Sequence, residues 1–255
     1  MVNISIDQTP KITQEWISLA RTYGLKLGAW SVFLHDSQFG SRFPEARVRN
    51  LFHQSIIPNL CVANPIVQSY LKGHTQDLIN LGFSHIAFES IAFGGFRHSE
   101  HHERYFVDLS PITEFLLSIC FCEFCSEECI KVGLDIERIR ISLREKVLKS
   151  LKSTDSWLGL ELNYENVLAL FGEDMRKLLD LRMEIVSILH SDISSLVRSS
   201  GIKSRYLDGS PISNRNDLNT FTDLWQSGIQ RESLLKSFDF IEPLLYRFST
   251  EENLS

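Results

Sequence analysis

Residues 85–93 read HIAFESIAF, an apolar run carrying one carboxylate, Glu89. Its length, its Ile and Phe content and the Gly94-Gly95 turn that follows predict a buried strand. Upstream, LKLGAWSVFL over 25–34 has the same character and ends at His35-Asp36. Between the two lies a helix with both ends signalled. Asn64 stands as the N-cap with Pro65 at the first helical position, and Gly82 stops the helix. Val67, Tyr70, Leu71, His74 and Leu78 fall on one face of it. Strand, helix, strand in this order predicts a parallel βαβ unit.

Working outward, a helix is predicted over Thr13–Tyr23, closed by Gly24. The stretch from His35 to Asn64, with Pro44 and Pro58, reads as a polar loop. Ser110-Pro111 starts a helix running to about Lys131, and Asp135 caps another through Lys152, with Gly133 between them. WLGLEL (157–162) reads as a short strand. Residues 173–199 are strongly helical in period, and Ile202–Leu207 reads as a strand. A helical segment around 217–237 and a strand-like stretch, Phe238–Phe248, complete the chain. About five strands alternating with helices mean an α/β protein, either a (β/α)8 barrel or an open doubly wound sheet. No glycine-rich turn follows the first strand, so a dinucleotide-binding unit is unsupported. The expectation is one domain over 1–255, a TIM-barrel-like (β/α)8 fold that is incomplete.

The net charge of −6 argues against a nucleic-acid or anionic-membrane binder. No apolar run reaches the roughly 20 residues that span a bilayer, and the N-terminus lacks the pattern of a secretory signal. Of five cysteines, four fall between 120 and 129, which is no disulfide framework. A reducing, cytoplasmic setting is expected.

Several motifs together resemble bacterial TIM-barrel proteins related to the family-10-like glycoside hydrolases. They are Ala29-Trp30-Ser31-Val32 leading into Leu34-His35-Asp36, then Leu60-Cys61-Val62-Ala63-Asn64-Pro65. Phe88-Glu89-Ser90, His101-His102-Glu103 and Cys120-Phe121-Cys122-x-x-Cys125 complete the set. The resemblance covers roughly residues 25–130 and implies a barrel with its site at the strand ends. Members of the family are longer, and the first shared motif here corresponds to a middle strand. The resemblance therefore implies a barrel lacking its opening strands, with exposed sheet edges that self-association or a complementary chain would cover.

Glycoside hydrolysis needs two carboxylates, one protonated as acid and one acting as base or nucleophile. Glu89 is the first candidate, since Phe88 and Ile91 beside it would favour the protonated acid. Glu103 is taken as its partner, with Glu161, Asp208 and Asp36 also open. The competing reading of Glu89 is a strand carboxylate paired with an arginine. Trp30, His35, Asp36, His98, His101 and His102 are the candidate ligand-binding residues, facing a small molecule or oligosaccharide. His98, His101, His102 and Glu103 also admit a metal-ligand reading, giving a metal-dependent enzyme, or a solvated-loop reading. Adjacent histidines diverge on regular structure and HEXXH spacing is absent, so no metal is assigned to them. Cys122, Cys125 and Cys129 lie at i, i+3 and i+7 on one predicted helix face, with Cys120 displaced. A second cysteine pair is missing, cluster spacings do not match, and packing is the expected role. No cofactor is expected. The alternative to an enzyme is a non-catalytic barrel fragment, a binding or assembly module that needs a partner chain.

Overall fold

A computed structural model describes residues 9–96, 109–152, 157, 159–208 and 224–243. The decisive strand–helix–strand unit forms as its sequence dictates. Strand β1 (Gly28–Val32) and strand β4 (His85–Glu89) pair in parallel, with Trp30 opposite Ala87 and Val32 opposite Glu89. The helix between them, α3 (Pro65–Leu81), begins where the Asn64 side chain accepts from the Ile66 N–H at 2.8 Å. It ends at Gly82, whose φ of 91° puts the backbone in the left-handed region that favours glycine. Val67, Leu71 and Leu78 are buried, Tyr70 and His74 half-buried.

Two further parallel strands extend the sheet, β5 (Lys203–Asp208) beside β4 and β6 (Phe240–Pro243) beside β5, in the order β1-β4-β5-β6. Asp239 fixes the approach to β6 by accepting from the Ser204 N–H at 2.9 Å and from Lys203 Nζ at 2.6 Å. One sheet face, carrying Phe33, Ile86, Phe88 and Tyr206, is buried against helices. The principal helix there is α7 (Tyr164–Ser199), which packs on α3, on β5 and on α8 (Arg231–Ser237). On the opposite face Trp30, Val32 and Phe240 are exposed, whereas Ala87 and Leu207 are buried. The architecture is thus α/β with a four-stranded parallel sheet.

Several predicted boundaries move. Helix α1 is Thr9–Thr22. The stretch read as a polar loop holds helix α2 (Ser37–Arg42), a 3-10 turn (Pro44–Ala46) and the antiparallel pair β2 (Arg47–Arg49) and β3 (Ser55–Leu60). At Gly40 the Ile57 carbonyl lies 1.9 Å from where a Cβ would stand, so only glycine allows α2 to lie this close to β3. The long helix from Pro111 is two, α4 (Pro111–Ser118) and α5 (Glu123–Lys131), parted by an extended segment. Helix α6 (Ile136–Lys152) follows. Residues 157 and 159–162 form no strand, and α7 begins earlier than its period suggests, kinked at Gly172. Among the described residues no helix is long and apolar enough to cross a membrane.

Candidate functional site

Glu89 closes β4 at its C-terminal end, where strand alternation turns Ile86 and Phe88 into the helical layer and His85, Ala87 and Glu89 to the open face. The carboxylate is therefore half-buried beside Trp30 rather than enclosed by Phe88 and Ile91, as its apolar neighbours in sequence suggest. Trp30 Nε1 donates to Glu89 Oε2 at 2.6 Å. The backbone around the pair is held firmly. Phe33 and Leu34 donate to the carbonyls of Glu89 and Ser90 at 3.0 and 2.8 Å. Ser90 has a positive φ of 54°, an unusual conformation for a residue with a side chain, and it turns Ile91 into the core.

Two of the expected site residues, Trp30 and Glu89, thus meet directly. Asp36 is engaged elsewhere: one oxygen caps α2, accepting from the Gln38 and Phe39 N–H groups at 2.9 Å, and the other accepts from the Tyr70 hydroxyl at 2.8 Å. His35 is half-buried in an isolated antiparallel bridge with Asn59. His98, His101, His102 and Glu103 lie outside the described residues. On the open face Glu242 occupies the same cross-strand row as Glu89, with Leu207 between them. Two strand spacings set their Cα atoms about 10 Å apart. Arg205 Nη1 donates to the Glu242 carboxylate at 2.5 Å. His85 lies on the same face, across Gly28, and burial and the Arg205 charge push its imidazole pKa down. Glu242 was not among the expected carboxylates, because its place in the row depends on two strand registers that the sequence does not display.

A second constellation sits inside the molecule. Cys61 follows β3, Cys120 and Cys122 lie on the extended segment between α4 and α5, and Cys125 is in the first turn of α5. Their four Sγ atoms lie within 4.8 Å of one another. Cys61 Sγ is 3.5 Å from those of Cys122 and Cys125 and 3.8 Å from that of Cys120, so these are free thiols in contact, not disulfides. All four are buried. Shared hydrogen bonds and burial push the Cys61 and Cys125 thiols up, whereas hydrogen bonds with the same neighbours push Cys122 down. Cys129 stands apart from the cluster, and burial raises it to about 12.

Arg182, on α7, is buried. Burial lowers its pKa, and ionised sulfurs at Cys125, Cys120, Cys61 and Cys129 would act in the opposite sense. Its Nη2 donates to the Gln226 carbonyl at 2.8 Å, and its guanidinium carbon lies 4.0 Å from the centre of the Phe93 ring. Nε and Nη1 are buried with no hydrogen-bond partner. An open groove on the outer side of α7, bordered by Asp180, Glu184 and Gln230, belongs to neither constellation.

Compared with protein-family models and with curated proteins, the chain gives no match.

Proposed function

We propose that the protein binds and acts on a carbohydrate at the C-terminal end of its parallel sheet. The observation that carries this reading is the Trp30–Glu89 pair. Trp30 is 62% exposed, so its ring offers a flat apolar platform to the C–H face of a sugar, while its N–H orients the carboxylate beside it. Glu89 transfers the proton, or accepts from sugar hydroxyls, and Glu242 supplies the second carboxylate across the row. The distance between the two carboxyl groups would set a retaining or an inverting outcome. The resemblance to the family-10-like glycoside hydrolases supports the same placement. The test is release of reducing sugar from a glycoside pool. Glu89→Gln, which keeps an oxygen able to accept from Trp30, is expected to abolish turnover and lower the thermal midpoint by no more than about 2–4 °C. An active Glu89→Gln protein would overturn the reading.

The open face favours a second reading, a barrel fragment that assembles with a complementary chain. Four parallel strands are half of the eight that close a barrel, and Trp30, Val32 and Phe240 are exposed on the face that closure would cover. Sedimentation separates the two: a monomer that turns over a glycoside counts against the fragment, and an inactive self-associating chain counts for it.

A further inference from the structure

We propose that Cys61, Cys120, Cys122 and Cys125 bind one Zn2+ ion as a tetrahedral tetrathiolate, with Arg182 as its buried counter-charge. The proposal is independent of the carbohydrate reading. A Zn–S distance of 2.3 Å places the sulfurs of a regular tetrahedron about 3.8 Å apart. The three contacts of Cys61, at 3.5, 3.5 and 3.8 Å, already lie near that edge. An iron–sulfur cluster attaches its thiolates to different irons and spreads them further, and its usual cysteine spacings are absent here. Apolar packing explains burial of each cysteine but not the convergence of four Sγ atoms, drawn from two parts of the chain, on a single point.

Arg182 supplies the independent observation. A buried cation is stable only with compensating negative charge and filled donors. Four neutral thiols offer it no charge, and two of its three nitrogens have no partner. Binding converts four thiols and Zn2+ into a tetrathiolate of net charge −2, releasing the thiol protons to solvent. The buried Arg182 charge then has a dianion in the same interior to offset it. Cys125 in the first turn of α5 gains further from the positive end of that helix.

The test uses the whole chain purified under reducing conditions. Elemental analysis is expected to give one zinc per chain. After chelation, titration with Co2+ is expected to give the intense red-region bands of a tetrahedral thiolate site, saturating at one equivalent. Cys61→Ser is expected to weaken cobalt binding by at least about tenfold, while Cys129→Ser leaves it unchanged. Arg182→Met, with its helical circular dichroism retained, is expected to lose about tenfold, as for other outer partners of a metal site. Substoichiometric zinc with no cobalt spectrum, or iron with acid-labile sulfide, would overturn the site. These wild-type measurements decide it even if a variant fails to fold. Cobalt affinity unchanged by Arg182→Met would overturn the counter-charge role.

Discussion

His190 packs its ring against Tyr206 and Phe238 and donates from Nε2 to the Ile91 carbonyl at 2.9 Å. That neutral, donating form is the one burial favours, and its pKa is pushed down to about 4. The unfolded chain takes up a proton near pH 6.5, whereas the folded chain resists until about pH 4. Stability from this residue is therefore full above about pH 6.5 and falls as the pH drops toward 4, by on the order of 3 kcal/mol. Urea denaturation at pH 7.5 and 4.5 should show the loss, and His190→Gln should flatten it. Asp36 gives a second expectation. Removing its carboxylate in Asp36→Ala leaves the α2 N–H groups and the Tyr70 hydroxyl without their acceptor, costing about 1–2 kcal/mol in thermal denaturation. The sequence shows a carboxylate after a strand, which suits a ligand-facing site and a helix cap equally. It does not show Tyr70, which α3 carries to within hydrogen-bonding reach of that carboxylate.

Elements with local punctuation were the legible ones. Asn64-Pro65 and Gly82 mark both ends of α3, and Gly24 and Gly201 follow α1 and α7 with positive φ. The β2–β3 pair lacked such marks. Three residues, Arg47–Arg49, are too few to show alternation, and Pro58 inside Ser55–Leu60 reads as a breaker. The break between α4 and α5 was hidden for the opposite reason: Ile119–Cys122 is apolar, so the helical period runs straight through it. That break decides the cysteine geometry. Because α5 starts at Glu123, Cys120 and Cys122 sit on extended chain, and Cys120 rather than Cys129 joins Cys122 and Cys125. At this scale Gly40→Ala is the sharp test. The added methyl would meet the Ile57 carbonyl, forcing α2 off β3 at a cost of about 1–3 kcal/mol. An unchanged denaturation midpoint would show that the contact yields freely.

For the whole molecule the sequence conveyed the α/β class and the parallel pairing of strands far apart in the chain. It did not convey that, among the described residues, helices pack on one face of the sheet while Trp30, Val32 and Phe240 stay exposed on the other, because alternation within a strand does not say what covers each side. If the open face is an assembly surface, Phe240→Lys should shift the sedimentation profile toward monomer, since a charge there opposes burial. The cysteine site was invisible for a related reason. Each motif is short, and Cys61 meets the others only after β3 and the α4–α5 segment have docked. The backbone ties these regions directly, with Cys61 N–H donating to Ala46 and Phe121 N–H to Arg49 at 2.8 and 2.7 Å.

Cys61 and Cys120 are 59 positions apart, whereas Cys120, Cys122 and Cys125 fall within six residues. A shared ion would act as a removable clasp on a loop of that length, whose closure removes on the order of 4 kcal/mol of chain entropy from the unfolded state. The order of assembly follows from the spacing. On that proposal the local trio would capture the ion first and Cys61 would lock on last, so the β2–β3 pair would be secured only after α5 has been synthesised.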